Sequence, residues 1–122
     1  MSKPLSSCRV VLLEDEPLVA LDLEDMLIRL GVDSPAVVGS IERALEMLEA
    51  ERFDLAILDL NIRGEVSLPV ADCARNKGVP IIFATGYELE DEMLERYDAR
   101  RVGKPYSRAH ISAAIKACGF ET

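Results

Sequence analysis

The chain contains 122 residues with a formal net charge of −8, and apolar residues make up 49% of it without a single tryptophan. This length fits one domain, and we expect residues 1–122 to form it. No apolar run approaches the roughly 20 residues that span a bilayer, so no membrane span is expected. The excess of acidic residues, without a block of lysine or arginine, argues against direct binding to DNA or to anionic membranes.

The cysteine pattern indicates a reducing compartment. The three cysteines are Cys8, Cys73 and Cys118, an odd number at wide spacings. Such a set fits neither a disulfide framework nor a zinc site. We therefore expect a cytoplasmic protein.

Short apolar runs alternate with longer amphipathic stretches from one end of the chain to the other. The runs have the length and the β-branched composition of strands that are buried on both faces. The predicted strands are residues 9–13, 36–38, 55–58, 79–84 and 100–102. The run at 100–102 is the weakest of them.

Amphipathic stretches predict a helix after each strand. The first helix begins at Pro17, a favoured residue in a first turn, and ends at Gly31. Ser40 and Ser107 can cap the second and the fifth helix, and the third ends near Gly78. Each of these four stretches carries one apolar stripe that can face a sheet.

The fourth helix is predicted around residues 88–96 and differs from the others. Only Leu89 and Met93 are apolar at helical spacing there. We expect this helix to be short and loosely held.

The alternation of strands and helices predicts the fold. Continuous apolar strands, each followed by a helix, form a parallel sheet that is covered on both faces. Five such strands in 122 residues fit a flavodoxin-like α/β fold, a doubly wound sheet with strand order 2-1-3-4-5. A closed eight-stranded barrel would need about twice this length.

Polar side chains follow four of the predicted strands at the point where each strand ends. They are Glu14 and Asp15 after the first strand, Asp59 and Asn61 after the third, Thr85 after the fourth and Lys104 after the fifth. Taken alone, each of these residues is common in a turn or a helix cap. Because a doubly wound sheet binds its ligands at the carboxyl ends of its strands, we expect these side chains to form one site.

The types of side chain in this set predict phosphoryl chemistry. Glu14, Asp15 and Asp59 repel one another when they are crowded, unless a cation lies between them. Oxygen ligands without histidine suit Mg²⁺. A carboxylate can act as a nucleophile and form an aspartyl phosphate, while the ammonium of Lys104 and the hydroxyl of Thr85 hold the phosphoryl oxygens.

Along its whole length the chain resembles the receiver domain of bacterial response regulators. The resemblance implies that Asp59 accepts the phosphoryl group. It also implies that Glu14 and Asp15 are the metal-binding acid pair, with Asp15 as the direct ligand. Asn61, two residues after Asp59, matches the residue whose backbone carbonyl binds the metal in this family.

The resemblance also assigns roles to residues after the fourth and fifth strands. Thr85 matches the hydroxyl residue that turns toward the phosphate, and Lys104 matches the family lysine. The family usually has a cis peptide bond before the proline that is Pro105 here. Receivers usually carry an aromatic residue three positions before the lysine, where this chain has Arg101. The usual coupling between that ring and the hydroxyl residue is therefore not expected in this chain.

The resemblance implies a phosphoacceptor without an output domain, rather than an enzyme that acts on a separate substrate. A sensor histidine kinase or a phosphotransfer protein would donate the phosphoryl group to Asp59 with Mg²⁺ present. Phosphorylation would then switch binding to a downstream protein that the sequence does not identify. We expect a monomer or a weak dimer that does not bind DNA.

A narrower resemblance rests on two segments of the chain. One is Phe-Ala-Thr-Gly-Tyr at residues 83–87, and the other is Asp-Leu-Asn-Ile-Arg-Gly-Glu at residues 59–65. Both are similar to the FATGUY subgroup of single-domain response regulators, which is typical of alphaproteobacteria. This similarity implies a kinase of the HWE/HisKA2 type as the partner.

Three alternatives compete with this interpretation. Haloacid-dehalogenase phosphatases place a second aspartate where this chain has Asn61, and they add a cap domain for which 122 residues leave no length. A flavodoxin or nucleotide binder needs a phosphate-binding loop after the first strand, where Glu14, Asp15 and Glu16 would repel phosphate. A degenerate receiver would lack the acceptor, the acid pair or the lysine, and this chain has all of them.

Overall fold

The computed structural model describes residues 3–86, 89–104 and 106–121 of the chain. Five strands form the central parallel sheet: β1 (Val10–Leu13), β2 (Ala36–Val38), β3 (Leu55–Leu58), β4 (Ile81–Thr85) and β5 (Arg100–Gly103). Their order across the sheet is β2-β1-β3-β4-β5. The predicted flavodoxin-like fold and its strand order are confirmed.

Three strands differ by one or two residues from the prediction, and the first of them, β1, begins at Val10 rather than at residue 9. β4 begins at Ile81 rather than at residue 79, because Pro80 has no N–H to pair, although its carbonyl accepts a hydrogen bond from the N–H of Ala56. At the other end Thr85 is part of β4 and is paired with Gly103, which extends β5 by one residue. β4 and β5 therefore reach farther toward the carboxyl edge of the sheet than their apolar residues indicate.

Five helices cover the sheet: α1 (Pro17–Leu30), α2 (Ile41–Ala50), α3 (Leu68–Asn76), α4 (Asp91–Tyr97) and α5 (Arg108–Ala117). The predicted caps are confirmed, since the Ser40 hydroxyl accepts from the N–H of Arg43 and the Ser107 hydroxyl accepts from the N–H of His110. Gly31 ends α1 with a φ of 117°. In the described part of the chain, no helix is long and apolar enough to cross a membrane.

The helix α4 is shorter than predicted. It begins at Asp91, and Leu89 and Glu90 precede it outside the helix. The helix has seven residues, so the expected short helix is confirmed. Tyr97 is buried in the core, and Met93 and Leu94 pack against it.

Tyr87, Glu88 and Pro105 lie outside the described residues. The predicted start of the fourth helix at residue 88 therefore lies outside them as well. The same holds for the peptide bond before Pro105 that the family resemblance predicts to be cis.

The core consists of two apolar layers, one on each face of the sheet. Side chains alternate along each strand, so Val11 and Leu13 point to one layer and Val10 and Leu12 to the other. The first layer packs under α2, α3 and α4, and the second packs under α1 and α5. These layers fix the strands, and with them the residues that follow each strand.

Two short pairings were not predicted from the sequence. Lys3–Pro4 pairs in parallel with Phe120–Glu121, which brings the two ends of the chain together. Asn61–Ile62 pairs antiparallel with Glu65–Val66 directly after β3. The second pairing places a hairpin beside the carboxyl edge of the sheet.

Candidate functional site

The register of the sheet brings two acidic residues together. Leu13 of β1 is aligned with Leu58 of β3, so Glu14 and Asp59 follow at the same level on neighbouring strands. The N–H of Asp59 donates to the carbonyl of Leu13 at 3.0 Å, which continues the pairing to the edge of the sheet. The acids predicted to share a site are therefore adjacent.

Lys104 reaches both acids from the end of β5. Its N–H donates to the carbonyl of Thr85 at 3.2 Å, which continues the pairing of β5 with β4. Its Nζ lies 2.7 Å from Glu14 Oε1 and 2.8 Å from Asp59 Oδ2. Glu14 is 3% exposed and Asp59 is 6% exposed, so water screens these ion pairs less than it screens pairs on the surface.

Burial and the neighbouring charges shift the pKa values of Glu14 and Lys104. Burial raises the pKa of the Glu14 carboxyl, although hydrogen bonds from Lys104 and from the N–H of Glu16 oppose that rise. Burial alone would lower the pKa of the Lys104 ammonium, but its hydrogen bonds to Asp59 and Glu14 outweigh this effect and raise it. Lys104 therefore stays charged at neutral pH.

Asp15 completes a group of three carboxylates. One oxygen from each of Glu14, Asp15 and Asp59 lies within 4.8 Å of the others. One lysine cannot balance three carboxylates, so a further cation would relieve the remaining repulsion. Because all three side chains offer hard oxygen atoms, the group suits a hard divalent cation such as Mg²⁺.

Asn61 lies beside these acids, at the start of the hairpin that follows β3. Its N–H donates to Asp59 Oδ1 at 3.3 Å, and its side-chain Oδ1 accepts from the N–H of Gly64 at 3.1 Å. The N–H of Arg63 donates to Asp15 Oδ2 at 2.8 Å. The segment after β3 thus contacts two of the three acids through its backbone.

Thr85 is completely buried at the end of β4. Its side chain is on the same face of the sheet as Phe83 and Arg101, because side chains alternate along strands and Phe83 is aligned with Arg101. The guanidinium of Arg101 packs over Gly103, where an added methyl group would lie 3.2 Å from its nitrogens. Arg101 therefore runs along β5 toward the carboxyl edge of the sheet, beside the strand end that carries Thr85.

Two residues near the site were not singled out in the sequence. Ser67 is completely buried, and its hydroxyl donates to the carbonyl of Asp59 at 2.5 Å. The only signal was a serine before a helix start, which indicates a helix cap and not this contact. The buried hydroxyl of Tyr106 has no hydrogen-bond partner among the described residues, and burial together with the charge of Glu14 raises its pKa to about 12.

The family model for the response regulator receiver domain matches residues 10–116. The chain belongs to this family, and it is related to two-component response regulators. The chain is 32% identical over 115 residues to the phyllosphere-induced regulator PhyR of Methylorubrum extorquens, which covers 91% of this chain and 43% of PhyR. It spans about half the length of the curated relatives that it matches.

Solved structures agree with this assignment. The solution structure of SdrG from Sphingomonas melonis Fr1 has a TM-score of 0.80 and 32% identity, covering 93% of this chain and 97% of SdrG. The structure of TrrA from Thermotoga maritima, in complex with Mg(2+)-BeF, has a TM-score of 0.79 and 26% identity, covering 91% of this chain and 98% of TrrA. The likeness to PhyR, together with the motif at residues 83–87, supports the FATGUY subgroup.

Proposed function

We propose that the chain is a phosphoacceptor that takes a phosphoryl group onto Asp59 from a sensor histidine kinase or a phosphotransfer protein. Membership in the receiver family supports the role in two-component signalling. The contact of Lys104 Nζ with the buried Asp59, at 2.8 Å, is the observation that carries the assignment to this residue. The carboxylate of Asp59 thus has a nucleophilic oxygen and a cation directly beside it.

The residues of this chain that take part in the proposed reaction lie at the carboxyl edge of the sheet. A carboxylate oxygen of Asp59 attacks the phosphorus of a phosphohistidine, so that a P–O bond forms and the P–N bond breaks. The electron pair of that bond stays on the imidazole of the donor. The ammonium of Lys104 and the hydroxyl of Thr85 then bind oxygens of the transferred group.

We also propose that Mg²⁺ binds at Glu14, Asp15, Asp59 and the backbone carbonyl of Asn61. Asp15 and Asp59 would be its carboxylate ligands. The crowding of three carboxylates around one lysine supports a divalent cation there. TrrA was solved with Mg(2+)-BeF, and this agrees with the proposal. When bound, the ion neutralises charge on the transferring phosphoryl group.

The proposed partners are proteins. The motif at residues 83–87 resembles the FATGUY subgroup, and this resemblance supports a kinase of the HWE/HisKA2 type in the cytoplasm as the donor. Because this chain has a net charge of −8, a protein is a better candidate than DNA for its downstream partner. The donor can be identified by measuring the rate of phosphotransfer to this chain from each histidine kinase of the source organism, and the fastest kinase is the donor.

Acetyl phosphate tests the acceptor without any kinase. Incubation with acetyl phosphate and Mg²⁺ should add one phosphoryl group to the protein, measured by intact mass. Asp59→Asn should abolish this gain, whereas the control Asp54→Asn, at the opposite end of β3, should keep it. A phosphoryl group gained by the Asp59→Asn protein would contradict the assignment.

A further inference from the structure

The chain between β3 and α3 forms a hairpin whose turn reaches the acid group. Asn61–Ile62 pairs with Glu65–Val66, and Arg63 and Gly64 form the two-residue turn between them. Both turn residues have positive φ angles, 54° for Arg63 and 83° for Gly64. This is the backbone of a type I′ turn, which favours asparagine or glycine and rarely accepts arginine.

The turn contacts Asp15 through its backbone. The N–H of Arg63 donates to Asp15 Oδ2 at 2.8 Å, although the two residues are 48 positions apart in the chain. Among the described residues this N–H is the hydrogen-bond partner of the Asp15 side chain. Asp15 is partly buried, and this contact holds one of its two carboxylate oxygens.

The same hairpin orients a second acid. The N–H of Asn61 donates to Asp59 Oδ1, and the hydroxyl of Ser67, just after the hairpin, donates to the carbonyl of Asp59. A hydrogen bond to one oxygen of a carboxylate fixes the direction of the other oxygen, which is how neighbouring groups position metal ligands. The hairpin is therefore placed to set the orientation of both carboxylates.

We propose that the Arg63–Gly64 turn is a positioning element of the magnesium site and that it holds Asp15 in the orientation that the ion requires. The inference rests on the proposed function, which assigns Mg²⁺ to Asp15. Because binding equilibria are reciprocal, the ion should stabilise the turn as much as the turn favours the ion. The contact comes from the backbone, so it depends on the φ angles of the turn and not on the guanidinium of Arg63.

Two glycines allow a matched test of this dependence. Gly64 and Gly78 have φ angles of 83° and 71°, and an added methyl group would meet nothing within 4 Å at either position. Alanine at either site therefore strains only the local backbone. Gly78 follows α3 at the amino end of the sheet, away from the acids.

Calorimetric titration with Mg²⁺ alone measures the effect on the intact chain. Gly64→Ala should weaken binding about three- to tenfold, at or below the lower end of the range for loss of a group that orients a metal ligand, because alanine strains the turn without removing the N–H. Gly78→Ala should leave the dissociation constant within about twofold of wild type. Arg63→Asn should also stay within about twofold, since asparagine accepts a positive φ and keeps the N–H.

Hydrogen exchange of the Arg63 amide, measured by NMR, provides the second readout. Mg²⁺ should slow this exchange in the wild type and in Gly78→Ala, and by much less in Gly64→Ala. If the wild type binds Mg²⁺ but either readout fails to distinguish Gly64→Ala from Gly78→Ala, this inference is overturned and the proposed metal site is not. A wild type that binds no Mg²⁺ overturns the proposed metal site and this inference with it.

Discussion

Among single residues, Lys104 sets the charge balance of the site. Its Nζ contacts two carboxylates that are almost completely buried, Glu14 and Asp59. Removing one partner of a buried ion pair leaves charge without compensation, which costs more than the loss of a pair on the surface. Here removal would leave two carboxylates facing each other.

We expect Lys104→Met to lower the free energy of unfolding by about 2 kcal/mol without metal, a value reduced for the partial exposure of the lysine. The loss should be smaller with Mg²⁺, because the ion supplies the missing positive charge. Urea denaturation with and without Mg²⁺ measures both values. The control Lys77→Met, which breaks an exposed pair with Glu49, should cost about 0.5 kcal/mol or less in either buffer. Equal losses for the two variants would contradict the prediction.

Ser67 is expected to stabilise the segment that carries Asp59. Ser67→Ala leaves the buried carbonyl of Asp59 without its hydroxyl donor, so unfolding should become easier by about 1–2 kcal/mol. Ser7→Ala removes an exposed hydroxyl bond to the carbonyl of Pro4 and should cost about 0.5 kcal/mol or less. Urea denaturation compares the two, and a cost for Ser67→Ala no greater than for Ser7→Ala would rule the contribution out.

The sequence predicted which acids lie together but not the contacts between them. A parallel sheet places residues that follow neighbouring strands at one edge, so Glu14 and Asp59 could be paired from the strand pattern alone. The bond of Lys104 to Glu14 and the bond of Ser67 to Asp59 depend on register and on rotamers. Neither register nor rotamer is visible in a pattern of residue types.

At the level of elements, α4 is fixed at one end. The hydroxyl of Tyr97 donates to Asp72 Oδ1 at 2.7 Å, and the ring lies edge-on to Phe83 with centroids 5.9 Å apart. The first turn of α4, by contrast, carries the exposed acids Asp91 and Glu92. Few buried contacts imply low local stability, so we expect faster amide exchange in the first turn than in the last.

Tyr97→Phe should show how much the α3–α4 contact contributes. At pH 8 we expect a loss of about 1 kcal/mol in the free energy of unfolding, from the hydrogen bond to Asp72. Burial and Asp72 raise the pKa of the Tyr97 hydroxyl above its ordinary 10.0. The unfolded chain therefore loses this proton at lower pH than the folded chain, and the contribution of Tyr97 to stability falls as the pH rises above 10.0.

The measurement is urea denaturation of both proteins from pH 8 to about pH 11. The difference in unfolding free energy between wild type and Tyr97→Phe should shrink across the alkaline part of this range. Other tyrosines and cysteines titrate in both proteins and cancel in the difference. A difference that stays constant, or grows, would contradict the role of the Tyr97 hydroxyl.

The predicted elements agree with the structure where a periodic pattern of apolar residues defines them. They differ from it where a turn defines the element. The strand pattern and the caps at Ser40 and Ser107 predicted the sheet and its long helices, because burial on a fixed period is a local property. The hairpin at Arg63 and Gly64 was not predicted, since arginine is unusual at a positive φ. A hydrogen bond to Asp15, which is distant in the chain, supports that turn. Such a long-range contact cannot be predicted from local residue preferences.

At the level of the whole molecule, the site joins parts of the sheet that are far apart in the chain. Glu14 follows β1, Asp59 follows β3 and Lys104 follows β5, so repulsion or attraction among them acts on the entire fold. The excess of acids in the chain, with a net charge of −8, adds to the repulsion at this edge. A cation bound between the acids should therefore change global stability and not only the local geometry.

Thermal unfolding with Mg²⁺ and with EDTA tests this expectation. A ligand that binds only the folded state stabilises it, by about 1.4 kcal/mol at ten times its dissociation constant, so Mg²⁺ should raise the midpoint. Asp15→Asn should remove most of this rise. Glu14→Gln should remove less, because Lys104 Nζ already lies 2.7 Å from Glu14 Oε1 and offsets its charge. Asp25→Asn, which changes an exposed acid on α1, should keep the full rise. Identical midpoints of the wild type in the two buffers would show that the acids do not form a metal site before phosphorylation.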